Sequence, residues 1–171
     1  FVARRFEQPL SVLTGFSEDM LARGCRPASR WLARTMARAS ADESMALGIP
    51  PHAPVVRMKR LRIVDDEPVA IETAVVSSRD LPSPDLVGNS LYSALRKRGF
   101  FAVRALQRLR AGLASPEEAN LLNLENPAVV MHIERRGYLP DGRAIEVTYS
   151  SYKADCYDFV VELSVSGNML K

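Results

Sequence analysis

Residues 57–72 read RMKRLRIVDDEPVAIE. The runs on either side of Asp65-Asp66-Glu67 are rich in β-branched and apolar residues, so Val55–Val64 and Val69–Ser77 are expected to form a β-hairpin. With a three-residue loop, Val64 stands opposite Pro68, Arg62 opposite Ala70 and Arg60 opposite Glu72. Directly opposed residues share a face, with Cβ atoms about 5 Å apart. Arg60, Arg62 and Glu72 then share a face with Val56, Met58, Ala70, Ala74 and Val76, all apolar. A solvated cross-strand ion pair, contributing about 0–1 kcal/mol, is the plainer reading of such a cluster. Two features argue against it. The apolar company means that the face is covered, and two guanidiniums against one carboxylate leave a buried charge unmatched, which is costly. A small anion would complete the site, and planar guanidinium forks suit carboxylate or phosphate oxygens.

The rest of the chain supplies more short elements. A helix is expected over 14–24, with Thr14 or Ser17 as its cap, and a strand over 29–39. Ser40 and Glu43 make a capping box for a helix that ends on Gly48. A further helix spans 89–99 from Asn89 or Ser90, and a strand spans 103–113. Ser115, Pro116 and Glu118 open a helix over 115–124. Strands over 129–139 and 144–153 flank the turn Pro140-Asp141-Gly142, and 159–163 is a closing strand.

Two stretches run parallel to each other. Ala70-Ile71-Glu72 recurs as Ala144-Ile145-Glu146, Val55-Val56 recurs as Val129-Val130 at the same spacing, and Arg62 corresponds to Arg136. Each stretch is a capped helix followed by a hairpin, which reads as an internal repeat. Two such halves suggest one antiparallel sheet flanked by helices, an α+β fold.

Composition narrows the function. The 171 residues suffice for one domain with its own core. A net charge of +3, with the basic residues dispersed, does not make this chain a nucleic-acid binder by itself. Cys25 and Cys156 are far apart and His52 and His132 are isolated, which argues against a zinc site and for two reduced thiols in a cytoplasmic protein. No apolar run approaches the length of a membrane span. Phe1–Pro9 is polar and unpatterned and reads as a linker.

Other residues could face a ligand. Gly15-Phe16-Ser17-Glu18 and Asn89-Ser90-Leu91-Tyr92 each offer backbone N–H groups and a hydroxyl at a helix start, although ordinary capping accounts for either alone. Glu146 and Tyr152 fall on one face of a strand and suit the hydroxyl or amide groups of a neutral ligand portion. Catalytic readings have less support. No nucleophile elbow, P-loop or dinucleotide fingerprint is present. His132 reads as a packed strand residue, and a Glu72–Glu146 pair has nothing else to imply glycoside chemistry.

The segments LTGFSEDMLARG (13–24), KRLRIVDDEPVAIE (59–72), NSLYSAL (89–95), EEANLL (117–122) and DGRAIEVTYSSYKAD (141–155) together resemble the effector-binding (UTRA) domain of GntR-type bacterial transcription regulators of the HutC subfamily. The resemblance implies a chorismate-lyase-like α+β fold, a homodimer, no cofactor and no enzymatic activity. It also implies a winged helix-turn-helix domain before this region, so that 1–9 is a linker and 10–171 the effector-binding and dimerisation domain. LTGFSEDM is most similar to members responsive to N-acetylglucosamine 6-phosphate. Carried over, Phe16, Ser17, Arg60, Arg62 and Ser90 would hold the phosphate, and Glu72, Tyr92, Glu146 and Tyr152 would face the sugar. The chain departs from many relatives at Tyr152–Tyr157, where YKADCY replaces a segment with two arginines. A lyase-like enzyme on the same fold and a ligand-free dimerisation module are the alternatives.

Overall fold

The computed structural model describes residues 6–9 and 13–164. In chain order the elements are β1 (Phe6–Pro9), α1 (Phe16–Ala22), β2 (Pro27–Arg38), α2 (Ala41–Leu47), β3 (Pro54–Val64) and β4 (Glu67–Ser77). A 3-10 turn at Pro84–Leu86 follows, then α3 (Leu91–Lys97), β5 (Arg104–Leu113), α4 (Pro116–Leu121), β6 (Val129–Tyr138), β7 (Ala144–Lys153) and β8 (Tyr157–Val160).

The β3–β4 hairpin forms, but around a different turn from the one expected. Asp65 and Asp66 have φ of 49° and 71°. Two left-handed residues make the two-residue turn whose twist matches that of the flanking strands, and Asp tolerates this region. Val64 therefore pairs with Glu67, and it is Ile63 that pairs with Pro68. A bulge then takes up Val69, and from there Arg62 faces Ala70 and Arg60 faces Glu72, as expected. A tighter turn plus one bulged residue gives the same offset as a three-residue loop.

Six strands form one antiparallel sheet in the order β2-β3-β4-β7-β6-β5. The internal repeat is real at this level and longer than the sequence reading made it. Each half is helix, strand, helix, hairpin: α1-β2-α2-β3-β4 and then α3-β5-α4-β6-β7. The halves meet where β4 pairs with β7, with Glu72 opposite Ser150 and Ala74 opposite Thr148.

Each half places one helix on each face of the sheet. Ala46 and Leu47 of α2 pack on Val55, Val75 and Val147, while Ala119 and Leu122 at α4 pack on Leu61, Ile71 and Val130. On the other face, Leu91, Ala94 and Leu95 of α3 cover Val56, Met58, Ala74 and Ile145, and Phe16 and Met20 of α1 cover Val64, Ala70, Ile133 and Tyr152. Burying each such large side chain contributes about 1.5–3 kcal/mol. The short helices are fixed by this packing and by their caps, since isolated helices of this length do not persist in water. Ser40 and Ser115 make the two expected capping boxes, and Gly48 closes α2 at φ 61°. The cap of α1 is neither Thr14 nor Ser17 but Gly15, which puts Ser17 inside the first turn.

The chain ends depart further from expectation. Phe6–Pro9, read as linker, is strand β1, and it pairs in parallel with β8. Residues 1–5 lie outside the described residues. The closing strand thus starts two residues earlier than 159 and joins β1 in a small sheet of its own.

Candidate functional site

The opposed positions found in the β3–β4 hairpin bring its three charges together beneath the starts of α1 and α3. Arg60 is 2% exposed, Arg62 3% and Glu72 8%. Arg60 donates from Nε and Nη2 to Glu72 Oε1 at 2.9 and 2.6 Å. Arg62 donates from Nε to Oε2 at 3.2 Å and from Nη2 to Oε1 at 3.0 Å. Burial pushes the Glu72 carboxyl up, but Arg62 and Arg60 outweigh it and hold the group at about 2. The Arg62 guanidinium is drawn down by burial. Trp31 stacks 5.1 Å from Arg60 and Phe16 lies 4.8 Å from Arg62, so each cation has an aromatic face beside it.

The second half contributes a less charged wall. Glu146 is 1% exposed and accepts from Tyr92 Oη at 3.0 Å and from Thr148 Oγ1. Burial pushes its carboxyl above the ordinary range, and the Thr148, Arg135 and Tyr92 contacts only partly offset this. Burial and the neighbouring Glu146 raise the Tyr92 phenol. Tyr152 is buried beside Glu72 and is pushed up to about 12, mainly by burial.

Eight of the nine residues expected to face a ligand line one cavity of about 40 Å³: Phe16, Ser17, Arg60, Arg62, Glu72, Ser90, Tyr92 and Glu146. The ninth, Tyr152, lines an adjoining cavity of about 30 Å³ that shares Phe16 and Glu72 with the first. Two hydroxyls are already engaged. Ser90 caps α3 by accepting from Ser93 N at 3.1 Å, and Ser17 Oγ donates to the Asn89 carbonyl at 2.8 Å.

Arg135 was not among the expected residues. It lines both cavities, donates from Nε to Gln107 at 3.0 Å and reaches the Thr14 carbonyl at 3.1 Å. In the alignment of the two halves it is Arg136, not Arg135, that corresponds to Arg62. That arginine faces the other side of the sheet, where it pairs with Glu134 at 2.7 Å. The cause is loop length. The second hairpin closes at Tyr138–Ala144 around five residues, 139–143, against the two of the first, 65–66. Three extra residues, an odd number, swap which side chains of β6 face the cavity.

A larger cavity of about 480 Å³ opens on the opposite face, lined by Lys59, Glu117, Glu118, His132 and Ser151 among others. Its charges are solvated and matched, as in Lys59–Glu117 at 2.7 Å and Arg108–Glu134 at 3.7 Å, and such pairs contribute little. Ser151 lies 3.0 Å from His132 Nδ1 and donates to Glu118. The serine proton is thus directed at a carboxylate, so this cluster does not show the base-activated arrangement of a nucleophile. Size favours this groove, but the buried, unequally shared charges favour the smaller site. Among the described residues no group of three or more His, Cys, Asp or Glu could hold a metal ion, and no helix is long and apolar enough to cross a membrane.

A chorismate-lyase-like sheet whose buried charges line a small cavity between helix starts defines a small-molecule receptor domain. The chain belongs to the UTRA domain family, whose model matches residues 22–158. It is the effector-binding domain of a GntR-family transcription regulator, not an enzyme. It is 32% identical over 170 residues to the HTH-type transcriptional repressor NagR of Bacillus subtilis, covering 94% of this chain and 68% of that protein. It is 28% identical to the HTH-type transcriptional regulator GgaR of Escherichia coli K12, covering 92% of this chain and 63% of GgaR. The crystal structure of the effector domain of PhnF from Mycobacterium smegmatis superposes with a TM-score of 0.87 at 25% identity, covering 94% of this chain and 100% of that one. The chain thus spans about two thirds of the length of these two regulators.

Proposed function

We propose that this domain senses a small anionic metabolite, a phosphorylated amino sugar such as N-acetylglucosamine 6-phosphate, and thereby modulates DNA binding by the whole regulator. The observation that carries this reading is the sharing of one buried carboxylate, Glu72, by two buried guanidiniums. With Arg135 and Glu146 the site holds three cations against two carboxylates, one of them held toward its neutral form. That balance favours an anion. The phosphate end would be Phe16, Ser17, Arg60, Arg62 and Ser90, and the sugar end Glu72, Tyr92, Glu146 and Tyr152. The similarity of LTGFSEDM and its companion motifs to regulators responsive to amino-sugar phosphates supports the choice of ligand.

In the whole protein, a winged helix-turn-helix domain lies N-terminal to β1 and contacts the operator, and the regulator works as a HutC-type homodimer in the bacterial cytoplasm. The HTH-type relatives, of which this chain spans 68% and 63%, support that layout. Effector control requires that the ligand bind the two operator-affinity states unequally.

Thermal denaturation against a panel of sugar phosphates, sugars, urocanate and nucleotides tests the reading. A specific ligand at about 100 times its dissociation constant adds about 2.7 kcal/mol of stability. The shift is expected with N-acetylglucosamine 6-phosphate and is expected to vanish in Arg60→Ala and Arg62→Ala. A shift that survives both substitutions places the ligand elsewhere. No shift with any anionic metabolite favours a dimerisation module.

A further inference from the structure

We propose that the backbone carbonyl of Asn89 is a built-in occupant of the anion subsite, which an anionic oxygen of the effector displaces together with the Gly88–Ser90 segment. The inference rests on the reading above that an anion binds between Arg60 and Arg62.

Three donors converge on this one oxygen. Ser17 Oγ lies 2.8 Å away, Arg60 Nη1 3.2 Å and Arg62 Nη1 3.2 Å. Arg60 Nη1 also lies 3.5 Å from the Gly88 carbonyl. A peptide carbonyl has two lone pairs and no net charge. Two cations and a hydroxyl directed at it make a donor set suited to a charged oxygen, whose bonds to guanidinium are about twice as strong as neutral ones. The carbonyl thus holds the place of a better acceptor.

Occupancy of the donors requires the displacement. The cavity beside these donors measures about 40 Å³, where about 10–15 Å³ is enough to hold one water. The point where these donors converge is filled by the Asn89 carbonyl, so an anionic oxygen takes it only when that carbonyl leaves. The segment is built to move without unfolding its neighbours. Val87 and Leu91, on either side, are 2% and 7% exposed and belong to one core cluster. Gly88 and Asn89 between them are exposed, and a side chain at Gly88 would meet nothing within 4 Å. The segment leads directly into Ser90, the cap of α3, so its release changes how that helix begins. Closed and open arrangements then compete, and the apparent affinity for the effector is its intrinsic affinity multiplied by the open fraction.

Hydrogen–deuterium exchange on this chain tests the proposal, with inorganic phosphate and N-acetylglucosamine 6-phosphate as probes. Bound anion is expected to speed exchange several-fold in a peptide covering 86–92 while slowing it in peptides covering 13–20 and 57–64. Without any anion, Ser17→Ala removes one of the three donors and is expected to speed exchange in 86–92. Binding that slows or leaves unchanged the 86–92 peptide overturns the displacement but keeps the anion site. Unchanged 86–92 exchange in ligand-free Ser17→Ala overturns the displacement as well. Binding of neither probe overturns both.

Discussion

At Glu72, burial and two guanidiniums pull the proton in opposite directions, and the guanidiniums prevail. Its folded value of about 2 lies below the ordinary 4.5, so ionised Glu72 stabilises the fold above about pH 4.5 and that contribution is lost as pH falls toward 2. The gap corresponds to roughly 3 kcal/mol. Urea denaturation is expected to show this loss between pH 4.5 and 2 in the native sequence. Glu72→Gln leaves both guanidiniums without a carboxylate and is expected to cost roughly 3–5 kcal/mol at pH 7, with a flatter acid limb. An unchanged acid limb in that variant would assign the pH dependence to other groups. Glu146 has the opposite sign. Burial raises its value, so its charged form opposes folding as pH rises above the ordinary carboxylate range. Thermal melts of Glu146→Gln at pH 7 are expected to match or exceed those of the native sequence. Gly137 stands opposite Glu146, and a Cβ there would lie 2.7 Å from Glu146 Oε1. Gly137→Ala is therefore expected to push the carboxylate off Tyr92 and weaken N-acetylglucosamine 6-phosphate binding about tenfold, or 1.4 kcal/mol, measured by calorimetric titration. Affinity within twofold of native would remove the Tyr92–Glu146 contact from recognition.

At the scale of elements, the capping boxes were the most legible features. Ser40–Glu43 and Ser115–Glu118 need only four adjacent residues each, and both formed as read. Ser40→Ala and Ser115→Ala are each expected to cost about 1 kcal/mol in urea denaturation; a cost near zero for either would mean that packing alone fixes that helix. The first hairpin was legible in its pairing and not in its turn. Local sequence cannot show that the twist favours two left-handed aspartates followed by a bulge. Arg60, Arg62 and Glu72 came together because the bulge compensated for the tighter turn. The second hairpin has a one-residue bulge as well, between Gly137 and Tyr138, so the three extra loop residues still shift its register. Aligning the halves by identity carried Arg62 onto Arg136, although the extra loop residues put Arg135 on the cavity side. The Asn89 carbonyl was illegible for another reason: every residue has one, and only the fold brings this one to the arginines.

For the whole molecule, the α+β class followed from the two helix–hairpin stretches, but the strand order did not. That order arises because β4 and β7, far apart in the chain, pair at the seam. The polar stretch Phe6–Pro9 hid a strand because its partner, β8, lies at the other end of the sequence. Long-range pairing of this kind leaves little trace in local pattern. The chain has one tryptophan, and it stacks on Arg60. Its fluorescence is expected to change on titration with N-acetylglucosamine 6-phosphate in the native sequence and to stay constant in Arg62→Ala, which leaves Trp31 in place but weakens the anion end. A flat signal in native protein, with binding shown independently, would place the anion away from Arg60.

The odd number of extra residues in the second hairpin's loop also decides which groups form the cavity's second wall. Had both hairpins closed alike, Arg136 and Glu134 would have faced the cavity in place of Arg135, setting a second carboxylate beside Glu146. Instead one wall holds two guanidiniums on a single carboxylate, and the other sets a lone guanidinium beside a carboxylic group bound by a phenol and an alcohol. A molecule with one charged and one uncharged end therefore has a single favoured orientation, set by the unlike walls of the two halves rather than by a dedicated gatekeeping side chain.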